Sequence, residues 1–370
     1  MSYVRTGAER LAADPSLAAG ARLGLITNPT GVLPDLTPTA EALLAAGTPL
    51  TALFGPEHGI RGTAQADGSE QDPVDLRTGL PLFDTHKASG EALDEIVARS
   101  GVDTLVFDIA DVGARFYTYV WTMYDLMASA SRLGLRFVVL DRPNPLGGTI
   151  TEGPLLDPAF ASFVGRFPLP VRHGRTAGEL ATLFGFDLDL RVVTMEGWRR
   201  EMSHADTGLP WVMPSVNMPT PDTALVYPGT GLFEGTGFSE GRGTTRPFEL
   251  VGAPYVDERF QPALAALDLP GVRFRDTWFT PTFHKHAGTA VRGVQLHVHD
   301  REAFRPVLTG LSMLHVARTL YPDDLVWWGP ELFMDHLWGS DSLTRCLEEG
   351  RDPRELCPDP APPGGPLLYG

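Results

Sequence analysis

The 370-residue chain has little that would tie it to an oxidising compartment, a membrane or a nucleic acid. Its two cysteines, Cys346 and Cys357, have neither CxxC spacing nor a neighbouring histidine. They are read as ordinary residues of a reducing compartment, not as a disulfide or a metal site. No stretch approaches the roughly 20 apolar residues of a membrane span. The opening residues, MSYVRTGAERLAADPSLAAGARLGLIT, lack the continuous apolar segment of a secretory signal, so a soluble cytoplasmic protein is expected. Positive charge is in deficit: the formal net charge is -16. Phosphates would repel such a chain, so neither nucleic acid nor a membrane surface is an expected partner. The phosphate-binding glycine motifs are missing too. The first strand signal runs into TNPTGVLPD where a dinucleotide fold would have GxGxxG, and the glycines of GTGLFEGTGFSEGRG carry no Gly-Lys-Ser/Thr. No cofactor and no metal are expected. There is no internal repeat, and nothing in the sequence speaks to oligomeric state.

What is present is an ordinary globular composition, long enough for two domains. Through the first half, short apolar runs alternate with helical periodicity. RLGLIT, LTALF, DTLVFDI, RFVVLD and LRVVTM read as strands. Between them PTAEALLAAG, SGEALDEIVARSG, YTYVWTMYDLMASASRLG and TAGELATLFG read as helices, the last with the capping box Thr176/Glu179. Such alternation specifies βαβ units: an α/β, Rossmann-like parallel sheet with helices on both faces. From about Pro214 the chain turns rich in Gly, Pro and Thr and leads into a strand (VRGVQLHVHD), a helix (REAFRPVLTGLSMLHVARTLYP) and a Pro/Gly-rich tail expected to cover a surface. The expected organisation is residues 1–220 as the catalytic domain and 221–370 as a smaller C-terminal α/β (α+β) auxiliary domain closing over the active-site cleft.

In parallel sheets ligands bind beyond the carboxyl ends of the strands. Here four polar loops follow four strands: TNPTG with Asn28, GPEHGIRG with Glu57, His58 and Arg61, ADVGARFYTY with Asp111, Arg115, Tyr117 and Tyr119, and RPNPLGG with Arg142 and Asn144. Asp108 and Asp141 close two of those strands. The pattern could also be a set of ion pairs that merely order the loops. Its concentration on one sheet edge favours a site. His284/His286 and His297/His299 have strand spacing that would put each pair on one face. They are read as exposed strand positions in preference to a metal site.

These stretches, with EGPLLD, PLPVRHGRTAGELA and NMPTPDTALVYPGTGLFEGTGFSEGRGTTRPFELVGAP, resemble the NamZ-type exo-β-N-acetylmuramidases of bacterial cell-wall turnover over roughly Leu23 to Leu343. The resemblance implies a Rossmann-like catalytic domain, an auxiliary domain, and release of terminal N-acetylmuramic acid from the non-reducing end of peptidoglycan fragments. It carries the family's catalytic glutamate onto Glu57, and it adds Glu152, Asn217, Glu240 and Arg242 to the substrate-binding set. The sequence departs from the family pattern at Ala110, Arg175 and Gly237, where glutamine, methionine and asparagine are common. Glycoside cleavage needs a proton for the leaving oxygen and charge stabilisation opposite it. Glu57 suits the first. Asp108, Asp111 or the substrate's own acetamide oriented by Tyr117 would supply the second. Arg115 is the favoured reader of the lactyl carboxylate, next to Tyr117 and Tyr119. Two competing readings are a nucleotide-dependent Rossmann enzyme and a non-catalytic sugar- or peptide-binding module.

Overall fold

The computed structural model describes residues 3–64, 68–69, 73–331 and 333–370. The strands are β1 Leu23–Thr27, β2 Leu50–Gly55, β3 Leu82–Asp84, β4 Thr104–Asp108, β5 Arg136–Leu140, β6 Glu152–Leu155, β7 Pro170–Arg172, β8 Leu190–Val193, β9 Leu250–Ala253, β10 Val272–Phe279 and β11 Val291–Val298. The helices are α1 Gly7–Ala13, α2 Thr39–Ala45, α3 Gly90–Ser100, α4 Tyr119–Leu133, α5 Ala177–Phe184, α6 Pro221–Thr230, α7 Phe260–Ala265, α8 Pro306–Leu320, α9 Phe333–Trp338 and α10 Ser342–Glu348.

Six strands form one parallel sheet in the order β3-β2-β1-β4-β5-β8. β1 and β4 are buried along their whole length, as expected when helices cover both faces. Strand alternation sorts the core. Leu25, Leu53, Val106 and Val138 pack with Ala8 and Leu11 of α1 and Leu43 of α2. Ile26, Phe54, Phe107 and Val139 face the other way, onto Leu93 of α3, Met123 and Met127 of α4 and Leu180 of α5. This second core runs without a break into the C-terminal half, through Tyr227, Val251 and Leu311. That half holds a three-stranded antiparallel sheet, β10-β11-β9, with α6, α7 and α8. Among the described residues no helix is long and apolar enough to cross a membrane. Both cysteines are free.

Two local expectations need revision and a third becomes specific. FHKHAG is not a strand: His284 and His286 sit in a loop at positive φ, 69° and 57°. The cause is Lys285 between them, whose buried Nζ donates to the carbonyls of Phe233, Glu234 and Phe238 and to Glu240 Oε2. The Gly/Pro-rich connection contains a helix, α6, despite Pro228 inside it. There Gly229 crosses Gly310 of α8 so closely that a Cβ on either would run into the other helix's backbone. The tail covers a surface in a specific way. The Tyr369 hydroxyl donates to Asp141 Oδ2 at 2.6 Å, and Arg175 donates to Pro366 O at 2.9 Å.

Candidate active site

The loop after β2 is a hydrogen-bonded shelf. Gly59 N bonds Pro56 O at 2.9 Å, and Gly62 N bonds Gly59 O at 3.3 Å. His58, at φ 70°, is held by Nδ1 on Ala64 O at 2.8 Å. Gly62 has to be glycine twice over: its φ is 66°, and a Cβ would stand 2.6 Å from Pro29 on the neighbouring loop. The shelf holds Glu57 half-buried at the start of α4, where the Thr118 hydroxyl donates to Glu57 Oε2 at 2.7 Å.

Glu57 opens onto a cavity of about 720 Å³ lined by residues of both halves of the chain. Its inner end is walled by Tyr117, Tyr119, Tyr227 and Met218, all buried. Tyr117 donates to Ser215 Oγ at 2.9 Å and Tyr119 to Pro214 O at 2.6 Å. Burial holds all three phenols above their ordinary range, and the negative charge of Glu57 adds to this in each case. They are neutral groups around the Glu57 side chain. On the far wall stand Glu234 and Arg242. Arg242 Nη2 donates to Glu234 at 3.0 Å, its Nε lies 3.3 Å from Glu240, and its guanidinium lies over Phe248, 5.1 Å from the ring centre. Burial alone would lower the Arg242 pKa, but Glu234 and Glu240 outweigh it and hold the group above its usual range. Asp125, from two turns further along α4, pairs with Arg166 at 2.9 Å; burial pushes its carboxyl up, against the pull of Arg166.

Of the residues singled out in the sequence, Glu57, His58, Tyr117, Tyr119, Asn217 and Arg242 line this cavity. The others do not. Asp108 is fully buried and clamps Arg142 through two bonds, at 2.6 and 2.9 Å. Asp111 accepts from Gly113 N at 2.8 Å and meets His173 Nε2 at 2.9 Å. Asp141 gathers the Thr176 and Tyr369 hydroxyls and the amides of Arg142 and Gly178. Asn144 bonds Leu146 N and Arg175 O, Asn28 bonds Thr30, and Arg61 lies 3.8 Å from Asp75. Glu152 accepts from Leu308 N at 2.8 Å, and Glu240 stands behind Arg242, bound to Lys285. Arg115 is fully buried, with its guanidinium donating to four carbonyls, those of Pro154, Leu169, Leu337 and Trp338. From there it cannot touch a ligand in the cavity. The sequence reading missed Thr118, Asp125, Arg166, Tyr227 and Glu234. Tyr227 and Glu234 lie within the quoted glycine-rich stretch, but no local pattern marks them as cavity residues. Among the described residues no group of three or more His, Cys, Asp or Glu stands close enough to hold a metal.

The switch point of the sheet, between β1 and β4, is filled. What remains is a slot of about 50 Å³ edged by Thr30, Asp111, Arg142 and Trp211, room for one or two waters.

Comparison with known proteins is consistent across sequence and fold. Residues 23–222 match the family model described as exo-β-N-acetylmuramidase NamZ, N-terminal, and residues 225–359 its C-terminal counterpart. The chain is 48% identical over 354 residues to the peptidoglycan β-N-acetylmuramidase NamZ of Bacillus subtilis (strain 168), covering 94% of this chain and 85% of that protein. Two crystal structures of DUF1343 family proteins from Bacteroides fragilis NCTC 9343 share the fold. One has a TM-score of 0.87 at 34% identity, covering 96% of this chain and 95% of the other. The second has 0.75 at 29%, covering 96% and 93%.

Proposed function

This chain belongs to the exo-β-N-acetylmuramidase NamZ family, and from that premise we propose that its cavity seats the terminal N-acetylmuramic acid of a peptidoglycan-derived saccharide, with Glu57 as the general acid. It is a glycoside hydrolase. The observation that carries the assignment is the Thr118 hydroxyl on Glu57 Oε2 at 2.7 Å. That bond orients the carboxyl group of a residue that lines the cavity. Glu57 gives its proton to the leaving oxygen as the glycosidic bond breaks; water then adds to the anomeric carbon and its proton returns to Glu57.

The charge that develops on the sugar needs a second carboxylate. Asp108 and Asp111 are engaged outside the cavity. Glu234 is inside it, and its charge and that of Glu57 both act on the Tyr227 phenol. We assign the stabilising role to Glu234. The lactyl carboxylate, which separates muramic acid from glucosamine, needs a cation. Arg242 supports this role better than Arg115, since it lines the cavity and its Nη1 has no partner among the described residues.

Against a nucleotide-dependent reading, the slot at the switch point is far smaller than the cavity beside Glu57, about 50 against 720 Å³. The deciding assay is hydrolysis of a chromogenic N-acetylmuramic acid glycoside. Glu57→Gln should stay folded and lose at least about 10²-fold in rate. A folded variant with near-normal turnover would remove Glu57 from the mechanism, and a wild type without turnover would point to a binding module.

A further inference from the structure

At its open end the cavity is rimmed by aromatic rings in water. Phe163 is 54% exposed and Trp328 50% exposed. Phe163 lies in the connection between β6 and β7 of the N-terminal half, while Trp328 and Phe333 belong to the C-terminal half. The rings of Phe163 and Phe333 stack almost parallel, with centres 6.4 Å apart and planes 7° apart. Trp328 is fixed by its backbone, since its N–H donates to Gly235 O at 2.9 Å and its neighbour Trp327 bridges to Thr236. Large rings are rarely left exposed as a group unless something covers them.

Position along α4 says what that is. Thr118, at the start of the helix, holds Glu57; Asp125 holds Arg166, three residues beyond Phe163. Seven residues of helix separate the two points by about 10 Å. A single hexosamine of about 20 non-hydrogen atoms fills roughly 300–400 Å³ at protein-interior density, about half of the 720 Å³ available. When the terminal sugar occupies the closed end, the rest of the chain has to leave through the mouth. Resting on the muramidase reading above, we propose that this mouth is a binding site for the saccharide being released. Phe163, Phe333 and Trp328 stack on its first sugars, and Arg166 meets the lactyl carboxylate of the next muramic acid along the chain. Pyranose rings present C–H faces that pack on aromatic faces. Arg166 has a single protein partner among the described residues, Asp125 on Nη2; its Nη1 and Nε have none. The enzyme is thereby matched to chains longer than a disaccharide.

The test compares kcat/KM on the methyl glycoside of N-acetylmuramic acid, on the muramyl-glucosamine disaccharide and on the alternating tetrasaccharide. Wild type should gain about 10-fold from disaccharide to tetrasaccharide. Phe163→Ala and Trp328→Ala should each lose roughly 3- to 10-fold on the tetrasaccharide, and less than about 2-fold on the methyl glycoside. Arg166→Gln should erase only the step from disaccharide to tetrasaccharide. A wild type indifferent to length, or ring variants equally impaired on all three substrates, would overturn the proposal. If wild type cleaves none of them, the muramidase reading fails first. Tetrasaccharide binding followed by tryptophan fluorescence then decides this site: a signal abolished by Trp328→Ala and weakened by Phe163→Ala supports it, and its absence in wild type overturns it.

Discussion

Replacing Arg115 should damage stability and leave substrate selectivity alone. Its guanidinium is fully buried and no carboxylate is bonded to it. Burial pushes its pKa from 12.5 down to about 9, equivalent to about 5 kcal/mol of unfavourable charge burial. Four carbonyls oppose that cost. Those of Leu169 and Trp338 lie at 2.6 Å, those of Pro154 and Leu337 at 3.0 and 3.1 Å. They join the strands β6 and β7 of the N-terminal half to the end of α9. Bonds from a charged donor contribute about 1.5–3 kcal/mol each, so the four together exceed the cost by about 1–7 kcal/mol. Arg115→Ala removes the donor and leaves four carbonyls facing a void, at about 1–3 kcal/mol for each one that stays dry. The expected loss is about 4–6 kcal/mol, enough to unfold a domain of ordinary stability. Arg115→Lys keeps the charge but not the planar fork, and should lose about 2–3 kcal/mol while still folding. The assay is urea unfolding of Arg115→Lys, beside kcat/KM on matched muramic acid and glucosamine glycosides. Both activities should fall together, if at all. Wild-type stability with a selective collapse on the muramic acid substrate would refute the reasoning and return Arg115 to the ligand. Gly339→Ala is an independent probe of the same clasp, since a Cβ there would stand 2.7 Å from Arg115 Nη2.

Thr118→Val should remove the hydroxyl that orients Glu57, lowering kcat about 10-fold with KM little changed; an unchanged kcat would show that the shelf alone suffices. Arg242→Ala should cost about 10- to 100-fold in kcat/KM on the muramic acid glycoside and much less on the glucosamine one; an equal loss on both would mean that Arg242 only holds Glu234 in place. Tyr369→Phe tests the tail through pH. Burial raises the Asp141 pKa from 3.8 to about 6 even though the Tyr369 hydroxyl favours the charged form. Native Asp141 therefore binds more protons than the unfolded chain between about pH 4 and 6, and its contribution to stability falls as pH rises through that window. Removing the hydroxyl should destabilise by about 1.5–3 kcal/mol at pH 7 and distinctly less at pH 4.5, read from paired thermal melts; equal losses at both pH values would disconnect Tyr369 from the Asp141 charge.

Much of the fold was written locally. The alternation of apolar runs with 3.6-residue periodicity specifies β1, β2, β4, β5 and β8 and the helices between them, though not the short edge strand β3, because short buried strands can only be parallel when helices return the chain. Gly101 and Gly134 end α3 and α4 in left-handed conformations, as a stop signal should. Glu57 was legible for the same reason: two residues past the end of β2, on a loop stiffened by Pro56 and Gly59, its place at the sheet edge follows from chain direction alone.

The sequence could not say which polar groups at that edge spend their charge on one another. Asp108 and Arg142, 34 positions apart, meet because β4 and β5 are neighbours, and a bidentate pair in a dry interior leaves neither free for a ligand. Arg115 looked like a binding residue beside two tyrosines, yet its neighbours in space are the carbonyls of residues 39 to 223 positions away. Tyr227, Glu234 and Arg242 of the cavity lining come from the Gly/Pro-rich stretch of the second half, where no helix or strand periodicity marked them. Local sequence sets where a side chain leaves the backbone. Whether it ends against a partner or against open space is decided by what the rest of the chain packs beside it, and here residues of the second half line the same cavity as the loops that follow β2 and β4.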